Sequence, residues 1–251
     1  MAEAEPIQWR RDATTSRTVR TLWTLGVGTL FATICLIIYW RLFMLAGQAG
    51  DDVLSITPIE GVPLAFTSWQ LGSIAVMVAI AVTIVALALS RRPEASVRAL
   101  FERLSLSPPG ETVVSRALDA ALGTVVMLAV IAALIGGARV VAQGELDIGA
   151  GVFTFLAAIS IPLALVALVF ASFLSSVGSI DGETGYLYLY DPEERIDLEH
   201  LEDCSVRTVG GTAIVSLEYA TPDGQYVPGP RRLVVPVAVA TEFEGLVAEA
   251  D

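Results

Sequence analysis

The hydrophobic positions of this chain fall into four long runs, followed by a segment in which apolar and polar residues alternate. The runs are residues 21–44, 69–89, 118–141 and 149–176. Each reaches the roughly 20 apolar residues that cross a 30 Å hydrocarbon core. Trp23 lies near the start of the first run, and Tyr39 and Trp40 lie near its end, as aromatic residues do at membrane interfaces. The pattern predicts a membrane all-α bundle of four spanning helices, with Pro162 as a candidate kink in the fourth.

The arginines near the ends of these runs predict the orientation. The tail, residues 1–20, and the connection after the second run hold nine of them: Arg10, Arg11, Arg17, Arg20, Arg91, Arg92, Arg98, Arg103 and Arg116. Only Arg41 and Arg139 lie near the ends on the other side. Because cytoplasmic connections carry an excess of basic residues, we expect a multi-pass protein of the cell membrane with both termini in the cytoplasm.

A shorter helix is predicted within the basic connection, over residues 93–106. Pro93 opens it, and Val97, Leu100, Phe101 and Leu104 share one face at helical spacing. Such an amphipathic helix either lies flat on the inner leaflet or packs against a soluble domain.

The last segment, residues 181–251, has the pattern of a small β-rich cytoplasmic domain. Tyrosines at 186, 188 and 190 alternate with Leu187 and Leu189, which indicates a strand with two different faces. The predicted strands are residues 186–190, 195–198, 204–209, 212–219 and 231–239. The predicted turns are residues 191–194, 210–211 and 222–224. A capping box over residues 241–244 predicts a terminal helix with Phe243, Leu246 and Val247 on one face. These elements favour an antiparallel β-barrel or sandwich closed by an α-helix, with Pro236 at a sheet edge or a bulge.

The composition separates this domain from the membrane runs. All 15 basic residues of the chain are arginine, and residues 181–251 carry −11 of the total charge of −12. Such a charge argues against binding of nucleic acid or of an anionic bilayer through a basic patch. The acidic surface is either a binding face for cations or a basic partner, or a hydrated surface suited to concentrated salt. The absence of lysine favours the second interpretation, and the composition resembles that of proteins from salt-accumulating halophiles.

Residues 186–249 resemble the bacterial pleckstrin-homology-like domains that are attached to membrane helices. The resembling stretches are RIDLEHLEDCSVR, IVSLEY, RRLVVPV and TEFEGLVAEA. The resemblance implies a PH-like fold and a role in contacting proteins or lipids. Phosphoinositide binding does not follow, because the segment lacks the basic cluster which that recognition needs.

No arrangement of residues predicts a catalytic, cofactor-binding or metal site. His200 is the only histidine, and a solvated position is the simpler interpretation of its acidic neighbourhood. Cys35 and Cys204 form no motif. Gly26 and Gly28 are interpreted as a site of close helix packing rather than as a phosphate loop, and Gly136 and Gly137 as a helix-end or packing feature.

The spans also lack the ionisable residues that usually mark a transport pathway. Arg41, Asp119 and Arg139 all lie near run ends, and the hydroxyls of Ser73, Thr83, Thr124 and Ser160 are expected to bond within their own helices. We therefore expect a non-enzymatic membrane protein without cofactors, whose partners are the lipid bilayer and proteins, or further copies joined through the helices or the C-terminal domain. The alternative is a small oligomeric transporter or channel with a regulatory cytoplasmic domain.

Overall fold

The computed structural model describes residues 6–50, 52–59, 62–103, 107, 110–142, 151–182, 184–190, 193–220 and 229–250. Its helices are α1 (Arg17–Ala49), α2 (Ser68–Ala88), α3 (Pro93–Arg103), α4 (Glu111–Ala142), α5 (Gly151–Leu174) and α6 (Val237–Ala250). Its strands are β1 (Ile7–Arg11), β2 (Val53–Ile59), β3 (Val62–Thr67), β4 (Ser176–Asp181), β5 (Tyr186–Tyr190), β6 (Glu193–Asp197), β7 (Leu201–Val209), β8 (Thr212–Tyr219) and β9 (Arg232–Pro236). The chain divides into two compact units, Thr24–Ala167 on the one hand and Met1–Trp23 with Leu168–Asp251 on the other.

Four of the helices, α1, α2, α4 and α5, are long and apolar enough to cross a membrane. They confirm the four predicted runs, although α1 and α4 extend several residues further at their N-terminal ends. The short helix α3 confirms the predicted amphipathic helix as far as Arg103, and residues 104–106 lie outside the described part. Its apolar face is incompletely covered, since Leu100 is exposed while Val97 and Phe101 are partly buried.

Glycines bring helices of the first unit into direct contact, as expected for Gly28 and Gly137. A Cβ atom on Gly28 would lie 2.4 Å from the carbonyl carbon of Gly123, so α1 and α4 touch through their backbones. At Gly137, a Cβ atom would lie 2.9 Å from the ring of Phe153, which places α4 against α5. A Cβ atom added at Gly136 would meet open space, so this glycine is not required for a helix contact.

The connection between the first two spans contains a β-hairpin that the pattern did not predict. Strands β2 and β3 pair antiparallel, from Val53 opposite Thr67 to Ile59 opposite Val62. Thr67 and Gln70 then form a capping box that starts α2. The Gln70 amide also donates to the carbonyl oxygen of Phe43 at 3.3 Å, so this cap joins α2 to the end of α1.

The second unit is built from two antiparallel sheets and a helix. One sheet has the strand order β1-β4-β5-β6 and the other β7-β8-β9. Their inner faces share one hydrophobic core, to which α6 adds Val239, Ala240 and Phe243. Of the two predicted alternatives, the described strands form a two-sheet arrangement and not a closed barrel.

The edge strand β1 comes from the N-terminal tail, which was predicted only as a tail. It pairs antiparallel with β4, from Ile7 opposite Ile180 to Arg11 opposite Ser176. The Trp9 side chain is 5% exposed in the core, and its indole nitrogen donates to the Ser176 hydroxyl at 3.1 Å. The predicted fourth span was wrong in its last residues, because Ser176 already begins β4. The β domain therefore also begins earlier than residue 181.

The rest of the predicted β pattern is confirmed with shifted boundaries. Gly210 and Gly211 have positive φ values of 55° and 80°, as a tight hairpin between β7 and β8 requires. Residues 193 and 194 belong to β6 rather than to a turn. The predicted capping box was wrong, because α6 already begins at Val237 and the Thr241 hydroxyl donates to the Val237 carbonyl oxygen within the helix. Leu246 and Val247 lie where side chains are not described.

Candidate functional site

The outer face of the four-stranded sheet is lined by tyrosines. In β5, Leu187 and Leu189 are buried in the core, so the alternating side chains of Tyr186, Tyr188 and Tyr190 emerge on the opposite face. We call these three tyrosines together with Arg195 the tyrosine face. Tyr190 is 53% exposed, and Tyr186 and Tyr188 are partly buried.

Arg195 organises the tyrosine face from the neighbouring strand. It lies directly opposite Tyr188 in the pairing of β5 with β6. Its guanidinium carbon is 3.6 Å from the ring centroid of Tyr186 and 5.8 Å from that of Tyr188. On the other side of β5, the hydroxyls of Ser179 and Tyr190 are 3.0 Å apart and hydrogen-bonded. Cation–π stacking at such exposed sites is worth about 0.5–1 kcal/mol, so it favours these ring positions modestly.

The tyrosine face combines residue types that are common in protein interfaces. Tyrosine and arginine are the residue types most enriched at the energetic centres of protein interfaces, because they offer large rigid surfaces and polar tips. Two acidic side chains of β6 lie on this face: the exposed Glu193 opposite Tyr190, and the partly buried Asp197 opposite Tyr186. The arrangement therefore offers an aromatic centre with an acidic rim.

The single histidine takes part in no such arrangement. His200 ends a 3-10 turn and is exposed, and its backbone carbonyl oxygen accepts the Ala220 amide at 2.9 Å. Among the described residues, no three His, Cys, Asp or Glu side chains are grouped as metal ligands. Cys35 and Cys204 are both without a disulfide.

The hydroxyls within the spans bond to their own helices, as expected. Thr83 donates to Ala79, Thr124 to Ala120 and Ser160 to Ala157, each at 2.7–2.8 Å to the backbone carbonyl oxygen. Ser73 donates to the Gln70 carbonyl oxygen at 2.8 Å and also contacts the Tyr39 hydroxyl at 3.2 Å. Because these oxygens are already engaged, they do not form a continuous row of donors for a polar solute.

An apolar groove opens between α1 and α2. Its volume is about 750 Å³, and its lining includes Tyr39, Leu42, Trp69, Gly72, Ser73 and Val76. Apart from the mutually bonded Tyr39 and Ser73 hydroxyls, these side chains offer hydrocarbon and an indole. Ser68 adds one further hydroxyl to this mainly apolar lining.

A compact hydrogen-bonded turn joins β1 to α1. The Asp12 carboxylate accepts the Thr14 amide at 2.8 Å and the Arg10 Nε at 2.9 Å. Burial raises the pKa of Asp12, but hydrogen bonds from Thr14 and Arg10 and the charge of Arg10 outweigh it and lower that pKa from 3.8 to about 2. Next to this turn, Arg11 donates to the Leu174 carbonyl oxygen at 3.1 Å, at the C-terminal end of α5. These bonds join the tail strand to the last turn of α5.

Sequence patterns predicted the strand of the three tyrosines but assigned them no role. The available signal was three tyrosines on the face opposite two leucines. The contribution of Arg195 required the register of the next strand, which the sequence does not specify. Comparisons with protein-family models, with curated proteins and with solved structures found no match for this chain.

Proposed function

We propose that this chain is a non-enzymatic membrane protein whose four spans anchor a cytoplasmic PH-like domain, and that the domain binds a protein partner through the tyrosine face. The single observation that carries the proposal is that face, a partly exposed aromatic surface on which Arg195 stacks.

The pairing of β1 with β4 supports a common side for both termini. β1 precedes the first span and β4 follows the fourth, and they share five residue pairs in one sheet. Strands on opposite sides of a bilayer cannot pair, so an even number of spans must lie between them. The excess of arginine in the tail and after the second span supports the cytoplasm as that side.

The strand arrangement supports the PH-like assignment. Seven strands form two antiparallel sheets of four and three, and α6 follows the last strand and packs into their common core. The four spans are then an insertion after the first strand of the domain. Such an insertion explains why the resemblance in sequence covers only the later strands.

The charge of the domain favours a protein partner over a lipid surface. Residues 181–251 carry a net charge of −11, which an anionic leaflet repels. Arg195 is stacked on tyrosine rings within a border of acidic side chains, so it does not provide a basic patch. A protein segment with apolar and basic side chains matches both the aromatic centre and the acidic rim.

The test is recovery of partners from native membranes by the tagged full-length chain. We expect the double variant Tyr186→Ser/Tyr188→Ser to lose a partner that the unmodified chain recovers. The matched control is Val237→Ser, which removes an exposed apolar side chain from the start of α6. The proposal is wrong if the unmodified chain recovers no partner, or if the double variant keeps every partner while it melts normally.

Transport is the alternative function, and the engaged hydroxyls of the spans give it less support. Flux of ions or small solutes in vesicles reconstituted with the purified chain would favour it, above all if loss of the tyrosine face left the flux unchanged.

A further inference from the structure

The three-stranded sheet has an open edge at β7. Strand β7 pairs with β8 on one side, and within the described residues no strand pairs with its other side. A bulge between Leu201 and Asp203 precedes a regular stretch that runs to Val209. The free amides and carbonyls of such an edge are a template for one more strand.

The two faces of this edge strand differ. Cys204 and Val206 pack against the core, whereas Asp203, Ser205 and Arg207 are exposed on the outer face. A strand that adds to this edge therefore meets a row of polar and charged side chains on the outer side, and this row can select its sequence and register.

The charges on the outer face are not balanced within the chain. Asp203 lies directly opposite Glu218, and both are exposed. Like charges in directly opposed positions destabilise a sheet. Arg207 lies opposite Ile214, and among the described residues none forms an ion pair with Arg207, Asp203 or Glu218. The edge thus presents an unpaired acid and an unpaired base four residues apart.

We propose that β7 pairs antiparallel with β7 of a second copy of this chain, about a twofold axis at Ser205. In this register, Arg207 lies opposite the partner subunit's Asp203, and Asp203 lies opposite the partner subunit's Arg207. The guanidinium group of each Arg207 also reduces the repulsion between Asp203 of the opposite copy and Glu218 on the adjacent strand β8. The result is a continuous sheet of six strands, two copies of β7-β8-β9.

Charge selects this register over its neighbours. Shifting the axis to Cys204 places Arg207 opposite the partner subunit's Leu201, and shifting it to Val206 places Arg207 opposite the partner subunit's Ser205. Neither shifted register makes an opposite-charge pair with Arg207. The interface lies on a different sheet from the tyrosine face, so either proposal can fail without the other.

The test is disulfide trapping of the full-length chain in native membranes. In a Cys35→Ala/Cys204→Ala background, we expect Ser205→Cys to give a covalent homodimer under mild oxidation. Directly opposed side chains have Cβ atoms about 4.5–5.5 Å apart, close to the separation of disulfide-bonded residues. The matched control is Ser216→Cys, whose position lies opposite Ser205 on β8. Its two copies would be three strand spacings apart, roughly 14 Å, beyond the reach of a disulfide.

Charge reversal tests the register. Arg207→Asp and Asp203→Arg, each added to Ser205→Cys, are expected to slow trapping roughly tenfold, because two attractive pairs become repulsive. The combined exchange of the two residues is expected to restore it, which also shows that the variants fold. The proposal is overturned if folded Ser205→Cys gives no homodimer, if Ser216→Cys is trapped equally fast, or if single reversals have no effect. A disulfide to a different protein also overturns it, since that result identifies another occupant of the edge.

Discussion

A backbone contact between α1 and α4 gives the sharpest prediction about the apolar helices. A Cβ atom added at Gly28 would lie 2.4 Å from the carbonyl carbon and 2.7 Å from the carbonyl oxygen of Gly123. Both are backbone atoms, so no side chain can rotate away. Gly28→Ala therefore requires α1 and α4 to separate by about 1 Å, since ordinary contact begins near 3.4 Å.

The change in stability expected for Gly28→Ala is the sum of two opposing contributions. Forcing a methyl group into a packed contact costs about 1–3 kcal/mol. Replacing glycine by alanine within a helix recovers about 1 kcal/mol through propensity. The matched control is Gly136→Ala in α4, where open space surrounds the new methyl group and only the gain remains. The two variants should therefore differ by about 1–3 kcal/mol, with Gly28→Ala the less stable.

The assay is the melting temperature of the full chain in one detergent, read by loss of helical circular dichroism. Because about 1 kcal/mol corresponds to 2–4 °C for a chain of this size, the two variants should melt about 5 °C apart. Gly123→Ala should behave like Gly28→Ala, since its Cβ atom would lie 2.3 Å from the Thr24 carbonyl oxygen. Equal melting temperatures for Gly28→Ala and Gly136→Ala would refute the proposed backbone contact.

Three further predictions concern the β domain. Trp9→Ala should destabilise the domain by about 3–5 kcal/mol because the indole fills the core. Limited proteolysis should detect this loss of stability. The control Gln8→Ala, on the exposed face of the same strand, should have no effect. Phe243→Ala, at a side chain 1% exposed, should cost a similar amount in the same assay, and Glu242→Ala should not. The lowered pKa of Asp12 means that its carboxylate stabilises the fold fully above pH 4 and loses this effect as pH falls towards 2. Asp12→Asn should thus lower stability by about 1 kcal/mol at pH 7, after allowance for solvent screening, and the difference should vanish in melts near pH 2.

Local signals explain which elements could be predicted. The four spans were found because length and hydropathy are properties of one continuous segment. The turn at Gly210 and Gly211 was found because positive φ values demand glycine. By contrast, Val237 and Val239 continue the β-branched pattern of β9, yet both lie in α6. Only the burial of Val239, Ala240 and Phe243 at helical spacing distinguishes a helix from a continued strand. That burial depends on the tertiary fold.

Strands with distant or ambiguous signals escaped prediction. β1 is five residues long, and its partner β4 follows more than 160 residues later, so no local pattern connects them. In the hairpin of β2 and β3, Pro58 and Pro63 argue against a regular strand. The tyrosine face could be predicted only in part, for the same reason. The alternation in β5 was visible, but the position of Arg195 above the rings depends on strand register.

The N-terminal arginines contribute to the folded β domain and also to the basic excess that predicts the orientation of the chain. Arg10 is paired with Asp12, and Arg11 donates to the last turn of α5, so both serve the folded β domain. The bias in basic residues acts during insertion and counts them whether or not an acid is later paired with them. The sheet pairing of β1 with β4 requires only that the two ends share a side, whichever side that is. Arginine distribution therefore supports the choice of the cytoplasm, and strand pairing supports the even number of spans. A topology with the termini outside would contradict only the first argument, whereas termini on opposite sides would contradict both.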